Sequence, residues 1–535
     1  MNPTIQNIKA SASHCFKPLF PFPFLFLLLF LSAPALSWQH SLIARAAPDI
    51  PPLKWGEPGL RECMLDTRNR WHSRQEAPIP PEAFSTHGPR VPAFPGAEGF
   101  GAYSFGGRGG QLYRVTNLND SGPGSLREAA EADGPRIIIF DVSGTIRLES
   151  PIYIFNPYAT FAGQTAPGDG ITVAGQLFFI STYDVILRHM RFRHGADRQQ
   201  ERNPQNVNEW TLRVGGGNHV ILDHVTVSWG MDGNLGVTHM DNVTVQNSIL
   251  AKPLWDSVHF KGVRGYGALV RGRHGARYSF LRNVWANHRA RVPRPGNYLS
   301  HDVDPDGLLV DFRNNVVYMG IGTNYDDDTI TRYNFVNNYY LTDWRLIDRS
   351  SHTQAFLDGN FHVEPSRFED QWLMIDAGDN VRREYHEQSA PFESGPVTTL
   401  SADETWNRVT KTAGAWIRDN HDVYVIQEMI NYHLREIDGQ QEAYTLPDWW
   451  KTGRIDFQDE VGGLPDLRSV TMPEWIDSNR NGLPDWWELE QGLDATEPDI
   501  ANIDSNGNGY TNIEDYVNDM EAVAVTRSLA AFKSI

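Results

Sequence analysis

Seven short segments share one pattern: alternating apolar residues, a central polar pair, then further alternation, as in DVILRHMRFRH and RYSFLRNVWAN. The second member of the polar pair falls at His189, His224, Asn247, Asn283, Asn314, Asn338 and Asn360, at intervals of 35, 23, 36, 31, 24 and 22 residues. Imperfect repeats of roughly 20–50 residues are typical of solenoids. Because each unit is strand–turn–strand with almost no helical pattern, we predict an all-β fold, a parallel β-helix with one coil per unit.

The repeated polar residues have a structural explanation in such a fold. Asparagines at equivalent positions of successive coils can stack inside a turn, each amide bonding to the next. We therefore interpret Asn247, Asn283, Asn314 and Asn338 as a structural ladder rather than as catalytic residues. His189 and His224 occupy the same position and receive the same interpretation.

The pattern changes after residue 400, where SADETWNRVTKTAGAW begins a stretch with helical spacing. We expect two or three helices here to cap the end of the solenoid. The predicted domains are a leader (1–46), a linker or N-terminal extension (47–92), the β-helix (93–395), a helical capping extension (396–470) and a tail of loops (471–520).

The leader contains the apolar run LFPFPFLFLLLFL at 19–31, preceded by lysines and followed by small residues, which is a secretory signal pattern. A membrane anchor is the alternative, but Pro21 and Pro23 interrupt the run and it is shorter than the ~20 residues that a span needs. The only cysteines are Cys15, in the leader, and Cys63, so no internal disulfide is expected in the mature chain. We predict a secreted, extracellular protein with no membrane association after signal removal, and a monomer.

Two tandem loops in the tail have the spacing of EF-hand calcium loops. DSNRNGLPDWWE fits the pattern D-x-[DN]-x-[DN]-G-x5-E, and DSNGNGYTNIED begins 27 residues later. Carboxylate and amide oxygens at this spacing form the shell that Ca²⁺ prefers, so calcium is the predicted cofactor. The predicted ligands are Asp477, Asn479, Asn481, Asp485 and Glu488 in the first loop, and Asp504, Asn506, Asn508, Asn512 and Asp515 in the second. Since the second loop closes with the shorter Asp515, we expect weaker binding there.

Residues 257–300 contain no Asp or Glu, although the whole chain has a formal charge of −19. The same stretch holds Lys261, Arg264, Arg271, Arg273, Arg277, Arg282, Arg289, Arg291 and Arg294. Such a field should attract a polyanion, and arginines of an earlier coil (Arg188, Arg191 and Arg193) were candidates to join it. Nucleic acid is one option, but an exported acidic chain favours an acidic polysaccharide, whose carboxylates match arginine forks.

Several long motifs resemble polysaccharide lyase family 1, the pectate lyases. They are FPGAEGFGA, GGRGGQLYRVTNLNDSGPGSLREA, GQTAPGDGI, VILDHVTVSWGMD, NVTVQNSILA and RVPR, within about residues 93–345, and the tail resembles that of exported bacterial members. The resemblance implies a right-handed parallel β-helix that cleaves polygalacturonate (pectate) by calcium-assisted β-elimination. In this reaction a proton leaves C5, next to the uronate carboxylate, and the glycosidic oxygen departs from C4.

The resemblance also implies residue roles. Arg291, at the R-x-P position, is the candidate base, with a substrate clamp as its alternative role, and Arg294 is the candidate substrate clamp. Lys261 and Arg289 are further candidates for binding the substrate. An arginine base needs cationic neighbours and a partly dry site, because the pKa of a free guanidinium exceeds 12. For calcium in the groove, Asp232 matches a ligand and Glu209 is a further candidate, whereas Trp210, Gly233 and Gly236 stand where the family carries acids.

Two other functions remain open at this stage. A hydrolase on the same fold would need two placed carboxylates, for which Asp223 and Asp232 are candidates. A non-catalytic β-helix that binds an acidic polysaccharide would need only the basic stretch.

Overall fold

The computed structural model describes residues 91–199, 210–297, 299–323, 329–342, 345–348, 352–363, 365–377, 382–437 and 453–520. The predicted leader and most of the linker lie outside these residues. Within them, no helix is both long enough and apolar enough to cross a membrane.

The strands are numbered in chain order. They are β1 (Gln111–Val115), β2 (Arg136–Phe140), β3 (Gly144–Arg147), β4 (Ile152–Ile154), β5 (Ala159–Ala162), β6 (Ile171–Ala174), β7 (Phe178–Ile180), β8 (Val185–Arg188), β9 (Met190–Arg193), β10 (Trp210–Asp223), β11 (Thr226–Ser228), β12 (Gly233–Gln246), β13 (Ile249–Ala251), β14 (Tyr266–Arg271), β15 (Ala276–Leu281), β16 (Val284–Ala286), β17 (Leu308–Arg313), β18 (Val316–Tyr318), β19 (Gly322–Thr323), β20 (Thr331–Val336), β21 (Tyr339–Tyr340), β22 (Leu346–Asp348), β23 (Gln354–Asp358), β24 (Phe361–His362) and β25 (Ile375–Ala377).

The helices are short and mostly late in the chain. They are α1 (Leu126–Glu131), α2 (Pro365–Glu369), α3 (Arg383–His386), α4 (Ala402–Thr412), α5 (Asn420–Tyr432), α6 (Asp485–Glu490) and α7 (512–520). α1 begins where the sequence spacing S-x-x-E indicates a capping box: the Ser125 hydroxyl accepts from the Glu128 N–H at 3.2 Å.

The strands form a right-handed parallel β-helix with three faces. The first sheet runs β1-β2-β5-β8-β10-β12-β15-β17-β20-β23, and the second runs β24-β21-β18-β16-β13-β11-β9-β6-β3. The third face is formed by β4, β7, β14 and the N-terminal halves of β10 and β12, which are continuous with the first sheet, and we call this part the third sheet. A separate three-stranded sheet runs β19-β22-β25. Every registered pair is parallel, as the sequence predicts.

The coil lengths agree with the predicted repeat. Successive partners on the first sheet are Val185, Val220, Val243, Tyr278, Val310, Tyr333 and Ala355, separated by 35, 23, 35, 32, 23 and 22 residues. The interior is filled by alternate side chains of all three sheets, such as Phe280, Phe312 and Phe335, which follow one another in consecutive coils. Burying each such ring stabilises the fold by roughly 1.5–3 kcal/mol.

The asparagine ladder is present, but four of its six predicted members, two asparagines and two histidines, lie outside it. The side-chain carbonyls of Asn283, Asn315, Asn338 and Asn360 each accept from the backbone N–H of the equivalent residue in the preceding coil, at 2.9–3.0 Å. Asn247 and Asn314 instead lie one position earlier, where His189 and His224 also lie, and all four have φ of 50–54°. This earlier position turns the chain, and asparagine tolerates its left-handed backbone.

The helices α4 and α5 lie along the side of the solenoid rather than across its end. Val409, Val425 and Met429 pack on the outer side of the second sheet, against residues such as Ile249 and Val316. The expectation of an end cap is therefore wrong, because the apolar residues of both helices cover outward apolar side chains of the second sheet. The domain boundaries stay predictions.

Two further segments cover the first sheet. Phe94 and Ala97 pack on Ile186 and Ile221. The tail packs on β2 and β5 through a separate cluster: Ile137, Ile139, Ala162, Leu483, Trp487, Ala501, Ile513, Tyr516 and Val517. On the third sheet, by contrast, the outward residues Tyr153, Phe179, Arg213 and Leu269 remain partly exposed, so this face is the accessible one.

Candidate functional site

The segment RARVPRPGN lies against β14 as the next strand-like element of the third sheet. Isolated bridges join Tyr266 to Ala290 and Leu269 to Arg294. Four residue steps separate the bridges on this segment but only three on β14, so the segment carries one extra residue, as in a β-bulge. Bulges aim side chains away from the regular pleat, and this one contains Arg291.

Arg291 is held in an unusual backbone conformation. Its φ is 70°, in the left-handed region that a long side chain seldom adopts, and the following Val292–Pro293 peptide is cis. Its carbonyl accepts from the Ala268 N–H at 2.7 Å. A non-glycine residue with positive φ costs of order 1–3 kcal/mol, so the contacts around Arg291 must hold this conformation in place.

Gly267 makes the close approach of the bulge possible. A β-carbon at this position would lie 2.4 Å from the Arg291 carbonyl oxygen, far inside any ordinary contact. A side chain at 267 is therefore incompatible with the present course of the Arg291 backbone.

Tyr266 organises the cations of the site. The Arg291 guanidinium carbon lies 3.7 Å from the centre of the Tyr266 ring, and those of Arg264 and Arg289 lie at 5.7 and 6.0 Å. We call Tyr266, Arg264, Arg289 and Arg291 the Tyr266 cluster. Stacking on an aromatic face fixes a guanidinium without neutralising it. Tyr266 was not among the predicted site residues, although its position between Gly265 and Gly267 in the acid-free stretch was a usable signal.

The other predicted substrate-binding residues occupy different environments. Arg294 is only 4% exposed, and its backbone pairs with β14. Lys261 is exposed in the loop before β14, with its ammonium 5.2 Å from the Phe260 ring. Arg289 is exposed and donates to the Val263 carbonyl at 3.2 Å. The site thus combines an exposed cationic rim with one nearly buried arginine.

Asp232 lies beside the Tyr266 cluster but is already paired. Its carboxylate is 3.3 Å from the Arg264 guanidinium and 3.9 Å from His259. The other predicted groove ligand, Glu209, lies outside the described residues. Asp232 is therefore the one carboxylate among the described residues predicted to bind calcium in the groove, and Arg264 neutralises its charge.

Trp210 fills the space where the family's acids were expected. A β-carbon at Gly233 would lie 2.7 Å from the Trp210 ring, and one at Gly236 would lie 3.6 Å from it. The indole therefore lies over both glycines, and the three departures from the family pattern form one packed unit. This arrangement does not fit a resident calcium ion at these positions.

The rest of the basic stretch is dispersed. Arg277 faces Asp241 on the first sheet, and Arg282 is bound to Glu98 at 2.6 Å. The candidates from the earlier coil do not join the groove either. Arg188 pairs with Asp223, and Arg191 and Arg193 with the Asp419 and Asp422 carboxylates of the α5 region. Arg191 and Arg193 thereby attach the α5 region to the solenoid, whereas the Arg188–Asp223 pair joins two of its strands.

Asp223 belongs to a buried network and, within the described part of the chain, does not face the second carboxylate that a hydrolase would require. It accepts from Arg188, Gln246 and Asn247, and lies 3.0 Å from His224, whose ring stacks on that of His189 at 4.8 Å. Burial opposes its ionisation, yet the His224 and Arg188 charges hold the pKa of Asp223 well below its usual value. Although the three groups are close enough to hold a metal ion, the carboxylate is already saturated with donors.

The first tail loop turns sharply around Asp477. Gly482 has φ of 93°, and its N–H donates to Asp477 at 2.9 Å. The Asn481 amide donates to one oxygen of the fully buried Glu488 at 2.8 Å, while the other oxygen has no hydrogen-bond partner. Burial, with the nearby charges of Asp477 and Asp485, raises the pKa of Glu488. A buried carboxylate oxygen without a donor suits a cation.

The other predicted ligands of this loop already have hydrogen-bond or ion-pair partners within the protein. The Asp485 carboxylate accepts from the Ser478 N–H at 2.8 Å, and the Asn479 amide donates to the Ala495 carbonyl at 3.0 Å. Asp477 is also bound by Arg114 of β1, which contacts Asp141 at 2.7 Å. An ion here would share Asp477 with an arginine of the solenoid.

The second loop has the same form but is more exposed. The amides of Asn506 and Asn508 donate to the two oxygens of Asp515 at 2.8 and 2.9 Å. Asp504 accepts from the Gly509 N–H at 2.9 Å, and the Asn512 amide is directed to the Ile500 carbonyl. The same amide also donates to the Ser505 hydroxyl at 2.9 Å, so Asn512 contacts the start of the loop but, unlike Asn506 and Asn508, not the closing Asp515.

Comparison with known proteins gives the family. No family model matches the chain. The chain is 32% identical over 451 residues to a probable pectate lyase C of Aspergillus flavus, covering 80% of this chain and 94% of that protein. It is 33% identical over 456 residues to a probable pectate lyase C of Neosartorya fischeri, covering 82% and 96%. A solved pectate lyase from Bacillus sp. N165, in complex with trigalacturonate, is similar over 60% of this chain and 99% of that one, at 15% identity and a TM-score of 0.40. The identity and coverage of the curated relatives establish that this chain belongs to the pectate lyase family.

Proposed function

We propose that the chain is a polysaccharide lyase that cleaves polygalacturonate by β-elimination on the third sheet, at the Tyr266 cluster. The observation that carries the proposal is the bulged Arg291, stacked 3.7 Å over Tyr266 on the accessible face. In the proposed reaction Arg291 removes the C5 proton, a double bond forms between C4 and C5, and the C4–oxygen bond breaks. The departing oxygen takes up a proton.

The surroundings of Arg291 support its use as a base. Nearby positive charges disfavour the charged form of a guanidinium, and Arg264 and Arg289 flank the same ring. Those charges also favour a substrate rich in carboxylates. Since Arg294 is nearly buried, the exposed rim of Arg289 and Lys261 is the part best placed for first contact with a polyanion.

Calcium is the proposed cofactor, and the tail loops are its proposed sites. The donor set and the buried free oxygen of Glu488 fit the ion in the first loop. There calcium would supply positive charge that stabilises the loop and its attachment to β1. In the groove, the pairing of Asp232 with Arg264 and the position of Trp210 do not fit a resident ion.

The alternatives are not favoured. A hydrolase would need two facing carboxylates, but Asp223 is buried in its own network and Asp232 is paired with Arg264. We retain secretion, a monomeric state and the absence of membrane and nucleic-acid partners as proposals. The mass and N-terminal sequence of the protein recovered from culture medium, with light scattering, would test the first two.

The decisive experiment is an assay on polygalacturonate that records both ultraviolet absorbance of the unsaturated product and new reducing ends. We expect both to rise together. Arg291→Lys should lower turnover by about 10²-fold or more, the usual contribution of a general base. Arg277→Ala, an arginine of the same stretch that faces Asp241 on the first sheet, is the matched control and should retain activity. Reducing ends without absorbance would mean hydrolysis, and unchanged turnover of Arg291→Lys would exclude it as the base.

A further inference from the structure

A row of aromatic rings lies on the same face as the Tyr266 cluster but toward the beginning of the solenoid. Tyr153 stacks on Phe155 with ring centres 5.9 Å apart and planes 3° apart, and contacts Phe179 edge-on at 6.0 Å. Phe155 is 54% exposed. We call Tyr153, Phe155 and Phe179 the aromatic row. Stacked rings left open to solvent offer a flat apolar surface that the interior of the solenoid does not use.

The strand register connects this row directly to the bulge. Parallel partners run from Tyr153 to Phe179, Arg213, Gly236, Leu269 and finally Arg294. Because neighbouring strands lie about 4.8 Å apart, Phe179 is roughly 19 Å from Arg294 along one straight line across the sheet. None of these six positions is acidic, so a polyanion could follow the line without meeting a like charge.

Two residues hold the end of the row in place. A β-carbon at Gly215 would lie 2.9 Å from the Phe179 ring, so the glycine lets this ring lie close to the backbone of β10. The Arg213 guanidinium carbon lies 4.7 Å from the centre of the same ring. A cation stacked on an aromatic ring is held in position by that ring. The row therefore ends in an ordered pair of an apolar surface and a positive charge.

We propose that the aromatic row, with Arg213, is a distal sugar-binding site that holds the part of the polyuronate chain lying about 19 Å from the reacting bond. The apolar C–H faces of sugar rings would stack on Phe155 and Phe179, and a uronate carboxylate would bind Arg213. This rests on the proposed function, since the chain held here is the one cleaved at Arg291. The continuity of the sheet and the absence of acids along the register favour this occupant over a peptide or a lipid.

The test compares a long and a short substrate. Phe155→Leu and Phe179→Leu keep apolar volume but remove the flat ring. We expect the double variant to lose about tenfold in kcat/KM on polygalacturonate, which corresponds to ~1.4 kcal/mol. On trigalacturonate, too short to span the line from Arg294, its kcat/KM should equal that of the wild type. Phe179→Tyr keeps the ring and should retain wild-type activity on the long substrate. A loss confined to the leucine variant then indicates loss of the site rather than a general folding defect.

Binding without catalysis separates this inference from the proposed function. In native gels containing polygalacturonate, we expect retardation of the wild type and of Arg291→Ala, and weaker retardation of the double leucine variant and of Arg213→Gln. If the wild type does not cleave but is retarded more strongly than the double leucine variant, the distal site stands and the lyase proposal fails. Equal losses on both substrates, unchanged activity and retardation in the double variant, or retardation by neutral galactan as strong as by polygalacturonate, would each overturn the distal site.

Discussion

Gly267→Ala should disable the site by moving Arg291 without changing any group that contacts substrate. The new β-carbon would lie 2.4 Å from the Arg291 carbonyl oxygen, and its own backbone is unstrained because φ at 267 is outside the left-handed region. An ordinary contact needs about 3.5 Å, so the bulge must move by about 1 Å. The backbone bond from Ala268 to Arg291 would lengthen or break, at a cost of about 1 kcal/mol in the free energy of unfolding.

The expected effect on catalysis is larger than that on stability. A displacement of ~1 Å at a reacting group can lower the rate about 100-fold, which corresponds to ~2.7 kcal/mol in the activation free energy. We therefore expect Gly267→Ala to lose about two orders of magnitude in kcat on polygalacturonate, while its urea midpoint changes little.

A double-mutant cycle checks the cause. Initial rates of unsaturated-product formation are compared for Gly267→Ala, Arg291→Ala and the double variant. If the glycine acts through Arg291, the second substitution adds little to the first, because the displaced group is already absent. Losses that simply multiply, or a Gly267→Ala enzyme within about twofold of the wild type, would refute the link between this glycine and the arginine.

Three further predictions concern stability. Asn338→Ala removes four side-chain hydrogen bonds from the ladder and should lower the free energy of unfolding by about 4 kcal/mol in urea titrations, whereas exposed Asn407→Ala should change it by less than about 0.5 kcal/mol. Chelator should lower the thermal midpoint of the wild type, because a bound ion stabilises only the folded chain. Glu488→Gln should abolish most of this calcium-dependent shift, and Asp515→Asn should remove less of it. Equal calcium dependence in the wild type and both variants would contradict the assignment of the ligands. Burial lowers the pKa of His288 to about 3. Between pH 6.5 and 3 the unfolded chain therefore takes up this proton while the folded chain does not. As the pH is lowered through this range, the free energy of unfolding decreases by up to ~1.4 kcal/mol per pH unit from this residue. His288→Gln should therefore show a smaller loss of the urea midpoint between pH 7 and pH 5 than the wild type.

The fold could be predicted from the sequence because its repeat is periodic. Alternation and the polar pair recur in every coil, and the observed coil lengths differ from the predicted ones by at most one residue. The ladder was misplaced at Asn247 and Asn314 because asparagine suits both the stacked position and the left-handed position before it. Which of the two an asparagine occupies depends on backbone conformation, which composition does not record.

The site was less accessible to sequence reasoning because charge pairs are formed across coils. The acid-free stretch indicated a continuous basic surface, yet Arg277 and Arg282 have carboxylate partners from distant segments. Asp232 is bound by Arg264, 32 positions later, a pairing that only the stacking of coils creates. The bulge at Arg291 follows from a difference of one residue between two neighbouring strands, and such a register is set by the whole sheet.

The attachment of the tail to the first coils also constrains how the chain can fold during synthesis. Arg108 and its partner Glu514 are 406 residues apart in sequence, and the apolar outer side of β2 is covered by the same late segment. At 5–20 residues per second the ribosome would need roughly 20–80 s to deliver that cover. Until then a nascent chain lacks the residues that cover Ile137 and Ile139 in the folded protein. Burial of this part of the first coil therefore depends on a segment that is synthesised long after it.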